Sequence, residues 1–119
     1  MFKELGAMMS LLGNKGKFQE EIAKFNQFVA QLTAEGASGG GMVTAKVSGK
    51  MEVLSVKVSE EAWKLNDREM LEDLVVAATN QALGKVREQL AAETAKMAAN
   101  LGLPPGMLGG LGGAIPGLS

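Results

Sequence analysis

The stretch M-V-T-A-K-V-S-G-K-M-E-V-L-S-V-K-V, from Met42 to Val58, decides the fold. Val43, Ala45 and Val47 alternate with Thr44, Lys46 and Ser48; S-G-K turns the chain; then Leu54, Val56 and Val58 alternate with Val53, Ser55 and Lys57. Alternation with a period of two on both sides of a glycine-bearing turn predicts an antiparallel hairpin, apolar on one face. A lone hairpin is marginal in water, so this one must lie on helices or join a larger sheet.

Helical patterns flank it on both sides. Upstream, Phe18, Ile22, Phe25, Val29 and Leu32 alternate spacings of four and three, a narrow heptad seam that wants a partner helix. This predicts a helix from about Lys15 to Glu35, stopped at Gly36 by the permissive run G-A-S-G-G-G, which reads as a turn between elements. Leu5 and Leu12 continue the seven-residue interval, but Gly6, Gly13 and Gly16 each cost about 1 kcal/mol in a helix interior, so that end is expected to fray. Glu20 and Lys24, four residues apart, mark the solvent side.

Downstream, Ser59 to Leu65 reads as a connector of one helical turn at most. Asn66 as cap, Glu69 three residues later and Leu65 with Met70 as a hydrophobic staple then open a long helix. Leu71, Val75, Ala78, Ala82, Val86, Leu90 and Met97 carry its apolar pattern to about Leu101. At 1.5 Å per residue such a helix is roughly 50 Å long, while a compact domain of this size has a radius of gyration of about 13 Å. One subunit does not cover that length, so dimerisation is expected. Gly84 either bends or weakens the helix or marks a close backbone approach, and both readings stand at this stage. The last residues, Gly102 to Ser119, hold all three prolines and no charge, which reads as a flexible tail. The expected organisation is one domain over residues 1–101 and a tail over 102–119.

Composition narrows the function. The chain has 119 residues, 46% of them apolar and 21% charged, as in an ordinary globular domain. Cysteine, histidine and tyrosine are absent, which removes disulfides, thiolate nucleophiles and the usual transition-metal ligands. No enzyme activity, cofactor or metal is therefore expected, and no apolar run is long enough for a membrane span. These features fit a cytoplasmic protein. Net charge is −1, so the totals give no support to nucleic-acid binding; the distribution is more informative.

Three pieces of sequence carry a family resemblance: G-A-S-G-G-G-M-V-T-A-K-V-S-G-K from Gly36, V-L-S-V-K-V-S from Val53, and N-D-R-E-M-L-E-D-L-V-V-A-A-T-N-Q-A from Asn66. Their order and spacing resemble the YbaB/EbfC family, most specifically in E-M-L-E-D-L-V-V-A-A from Glu69 to Ala78, and L-P-P-G-M from Leu103 is similar to the family's usual ending. The resemblance implies an α+β protomer with an N-terminal helix, a three-stranded antiparallel sheet in which a strand at about Leu32 to Ser38 joins the hairpin, and a long C-terminal helix. It also implies an intertwined homodimer with protruding helices that binds DNA on the bacterial nucleoid. Two departures are visible: the N-terminal helix lacks the dense Gln, Lys and Met pattern of relatives, and Ser59 and Glu60 stand where relatives often have Asp-Pro.

The remaining constellations favour structural readings. A phosphate cradle at Gly36 to Gly41 needs a strand before it and a helix after it, and the order here is helix, loop, strand. Between Glu60 and Asp73, six acidic residues stand against Lys64 and Arg68, a local balance of −4. Glu69, Glu72 and Asp73 sit where they complement a helix dipole, with no oxygen-rich loop to make a metal site. With that segment set aside the rest of the chain carries +3. Lys15, Lys17 and Lys24 on the first helix, Lys46, Lys50 and Lys57 on the hairpin, and Lys85, Arg87 and Lys96 on the second helix are the candidate DNA contacts. Phe18, Ile22, Phe25, Val29, Leu71, Val75 and Val86 are the candidate core and dimer seam. Two arginines and no tyrosine leave few means of reading bases, so binding led by phosphates is expected, with weak sequence preference and the capacity to bridge DNA or influence gene expression. Trp63 is read as closing the end of the core, with a partner anchor as the other reading. The eight methionines are read as adaptable packing. The alternative class is a protein-protein adaptor for replication or repair machinery.

Overall fold

A computed structural model describes residues 15–103. The upstream seam through Leu5 and Leu12 and the tail beyond Leu103 lie outside the described residues. The elements are α1 (Lys15–Gln31), β1 (Thr33–Ser38), β2 (Val43–Ser48), β3 (Val53–Val58), α2 (Glu60–Lys64) and α3 (Arg68–Asn100). They form two compact units: Val29–Gln89, with the sheet, α2 and the first part of α3; and the rest of α1 with α3 from Leu90 onward.

The sheet is an antiparallel meander in the order β1-β2-β3. The helix expected to run to Glu35 ends at Gln31, and the chain enters a strand at Thr33. The reason lies in packing. Ala34 and Gly36 are buried while Thr33, Glu35 and Ala37 face outward, because β1 lies directly on α3 at its small residues. A Cβ at Gly36 would strike the carbonyl oxygen of Ala78 and lie 2.6 Å from the Ala82 nitrogen. The turn after β1 begins at Gly39, not Gly36; Gly39, Gly40 and Gly41 all take positive φ, where a side chain would be strained. This turn joins two strands, so it makes no phosphate cradle at a helix start.

In β2 the expected alternation holds, with Val43, Ala45 and Val47 fully buried. Val43 and Ala45 form a core cluster with Ala78 of α3, flanked by Leu71, Leu74 and Val75. The next turn is held by Ser48, whose Oγ accepts from the Lys50 and Glu52 nitrogens at 3.2 and 3.3 Å. A bulge between Lys46 and Val47 shifts the pairing, so that Lys46 opposes Ser55 and Val47 opposes Val53.

Ser59 caps α2, accepting from the Ala62 nitrogen at 3.1 Å. Asn66 was the expected cap of α3. Instead Asn66 takes a left-handed φ of 54°, and Asp67 caps, its Oδ1 accepting from the Met70 nitrogen at 3.1 Å. Helix α3 runs unbroken through Gly84, where a Cβ would meet nothing within 4 Å, so no close approach among the described residues explains that glycine.

In the second unit α3 ends in a Schellman motif. Gly102 has φ 70°, its N–H donates to Ala99 O at 3.1 Å, and Leu103 N–H donates to Ala98 O at 2.9 Å. Ala98 and Leu103 are both buried there. So is Glu21 on α1, which accepts from Asn100 Nδ2 at 3.3 Å.

Candidate nucleic-acid interface

Because Val43, Ala45, Val47, Ala34 and Gly36 are buried, the residues between them make up the sheet's outer face. The register sets them in cross-strand rows: Thr33 beside Ser48; Glu35, Lys46 and Ser55; Ala37, Thr44 and Lys57. This face is flat and polar, with four hydroxyls, two lysines and one carboxylate. Lys46 and Lys57 are diagonal neighbours on adjacent strands, roughly 7–8 Å apart by sheet geometry. Lys50 adds a third ammonium, exposed in the turn beyond Ser48. Ammonium and hydroxyl groups on a flat face are the donors that phosphate oxygens accept from.

The other candidate cations are placed differently. Lys24 lies between two carboxylates, 3.4 Å from Glu20 and 3.6 Å from Glu21. The hydrogen bond to Glu20, and then the charge of Glu21, push its pKa above the ordinary lysine value. Lys85 donates from Nζ to the Glu35 carbonyl at 2.8 Å. Lys17, Arg87 and Lys96 are exposed, and Lys15 is the first residue of α1. Of the candidate seam, Val86 is fully buried, Leu71 and Val75 pack against the core, Phe25 and Val29 are half-buried, and Phe18 and Ile22 are exposed.

The two edges of the sheet differ in a way the sequence did not signal. On β1 the outward backbone groups are closed by α3: Gln81 Oε1 accepts from Ala37 N–H at 2.7 Å, and Lys85 donates to Glu35 O. Among the described residues no such cover lies on β3. Val56 and Val58, opposite buried Ala45 and Val43, remain 41% and 38% exposed, and Val53 and Leu54 are 49% and 51% exposed. The hairpin's expected apolar face is therefore only half covered, because α3 lies under the β1 side. Trp63 also departs from expectation: it is 72% exposed, and in α2 only Ala62 is buried.

A helix, a three-stranded meander and a long helix define a small α+β fold. Residues 4–101 match the YbaB/EbfC DNA-binding family, and the chain belongs to that nucleoid-associated family of bacterial proteins. A nucleoid-associated protein of Caldanaerobacter subterraneus subsp. tengcongensis is 44% identical over 88 residues, covering 74% of this chain and 79% of its own. One from Bacillus thuringiensis is 42% identical over 103 residues, covering 87% and 94%. Among solved structures, an uncharacterized protein from Helicobacter pylori shares the fold, with TM-score 0.56 and 23% identity over 66% of this chain and 83% of that one. Among the described residues no helix is long and apolar enough to cross a membrane, and no group of acidic side chains is arranged to hold a metal ion.

Proposed function

We propose that the protein binds duplex DNA on the nucleoid as a homodimer joined through β3, with the outer sheet faces of both copies set against phosphates. The observation that carries this reading is the lysine and hydroxyl face beside an open, apolar sheet edge. Pairing of β3 with β3 of a second copy satisfies the free backbone groups and covers Val53, Leu54, Val56 and Val58, extending the core across the junction. Lys46, Lys50 and Lys57 are then doubled. With two arginines in the chain, binding rests on charge and gives little base discrimination. Two such faces on one dimer also permit bridging of DNA segments.

The test is a titration of labelled duplexes of two unrelated sequences at about 50 and 200 mM salt. Six phosphate contacts per dimer correspond to a loss of about 10³-fold in affinity across that interval, equal for both sequences. Binding that ignores salt, or that strongly prefers one duplex, contradicts the reading.

A further inference from the structure

One exposed feature has no part in that reading. Trp63, at 72% exposure, is the most exposed large apolar residue of the described chain, and Leu65 beside it is 51% exposed. Burying an indole yields more than burying almost any other side chain, so leaving it in solvent costs stability that this protomer does not recover. The indole borders a shallow cavity of about 320 Å³ lined by Ala62, Asn66, Asp67, Arg68 and Leu71. Ser59 caps α2, the Trp63 N–H donates to Ser59 O at 3.1 Å, and the Trp63 carbonyl accepts from Asn66 N–H at 3.3 Å.

The charge around the cavity selects its occupant. Glu60 stands one turn before Trp63 on α2, Glu61 follows Glu60 in the same first turn, and Asp67 lies in the cavity wall. Arg68, also in the wall, is paired with Glu72 at 3.6 Å in an exposed contact, and Lys64 follows Trp63, while the whole segment from Glu60 to Asp73 carries a balance of −4. Phosphates are repelled from such a surface, so duplex DNA does not compete for it. A cation is attracted twice, by the carboxylates and by the π-face of the indole.

We propose that this corner is a docking site for a basic segment of a partner protein. An arginine or lysine of that segment lies on the Trp63 indole, with its charge toward Glu60, Glu61 and Asp67, and a neighbouring apolar side chain enters the cavity against Ala62 and Leu71. None of Lys46, Lys50 and Lys57 lines this cavity, so the protein holds DNA and the basic segment together.

Trp63 is the single tryptophan and the chain has no tyrosine, so its emission reports this corner alone. The full-length protein is titrated with a synthetic peptide alternating Arg and Leu, with a peptide alternating Glu and Leu as control. The expected result is a saturable change in Trp63 emission with the basic peptide only. With fluorescently labelled peptide, Trp63→Ala and the double variant Glu60→Lys, Glu61→Lys each weaken binding at least tenfold, Trp63→Phe restores most of it, and Glu52→Lys, at an exposed carboxylate outside the corner, changes it little. DNA affinity and the helical circular dichroism of Trp63→Ala stay at wild-type values. Equal peptide binding by Trp63→Ala, or equal loss in Glu52→Lys, overturns the proposal. So does Trp63 emission that shifts on dilution in step with dimer dissociation, which assigns the corner to a second copy of this chain.

Discussion

Replacing Gly36 and Gly84 by alanine is expected to move stability in opposite directions. At Gly36 the added carbon meets backbone on both sides, the Ala78 oxygen and the Ala82 nitrogen at 2.6 Å, where neither neighbour can swing away. To reach ordinary contact, β1 and α3 must separate by about 1 Å, which forfeits a quarter to a half of the dispersion energy across that seam. Overpacking alone costs about 1–3 kcal/mol. The hydrogen bonds that cross the same seam, Ala37 N–H to Gln81 Oε1 and Ser38 Oγ to the Leu74 carbonyl, lengthen with it. A total of about 3 kcal/mol lowers the melting temperature by roughly 12–24 °C for a domain of this size. At Gly84 nothing lies within 4 Å, so alanine adds helix propensity alone, about 1 kcal/mol and roughly 4–8 °C upward. Thermal unfolding followed by circular dichroism, at one protein concentration because the proposed dimerisation would contribute to stability, reads both. A Gly36→Ala protein within 1 kcal/mol of wild type refutes the close seam, and a destabilised Gly84→Ala protein places a second copy's atoms at that position.

Further outcomes follow from the same contacts. Val56→Asp with Val58→Asp puts carboxylates on the open edge; sedimentation is expected to show monomers that keep wild-type helix content, and persistence of the dimer locates the interface elsewhere. Asp67→Ala removes the cap of α3 and costs about 1 kcal/mol in urea unfolding, whereas Asp67→Asn, which keeps the acceptor, costs much less. Gly102→Ala forces a side chain into the left-handed region at the end of α3 and costs about 1–2 kcal/mol, read by faster amide exchange in the last helical turn.

What the sequence made legible were features with local causes. The β2–β3 hairpin showed itself through alternation, and α3 through its apolar spacing, both within a residue or two of their observed ends. Strand β1 did not. T-A-E-G-A-S has two small residues facing inward, and Gly36 must be small because Ala78 and Ala82, more than 40 positions away, press against it. The residues alone read as a helix that fades into a loop, and only the family resemblance supplied the strand. The cap of α3 slipped by one residue because Asn66 satisfies the same local pattern, while its left-handed φ passes the capping role to Asp67. Trp63 was misread for a similar reason: hydrophobicity argues for burial, but a five-residue helix buries only Ala62. Of the candidate site, the lysines were visible as residues and not as a surface. Lys46 and Lys57 share a face because of register, whereas Lys24 and Lys85 are taken up by Glu20, Glu21 and the Glu35 carbonyl.

The most direct test of the account is the salt dependence of DNA affinity for the wild type and for Lys46→Ala with Lys57→Ala. Four ammonium groups would leave each proposed dimer, so the slope of log affinity against log salt is expected to become shallower by about 3.6, with the fold and the oligomeric state unchanged. An unchanged slope means that the sheet face does not meet the phosphates, and it contradicts the proposed mode of binding.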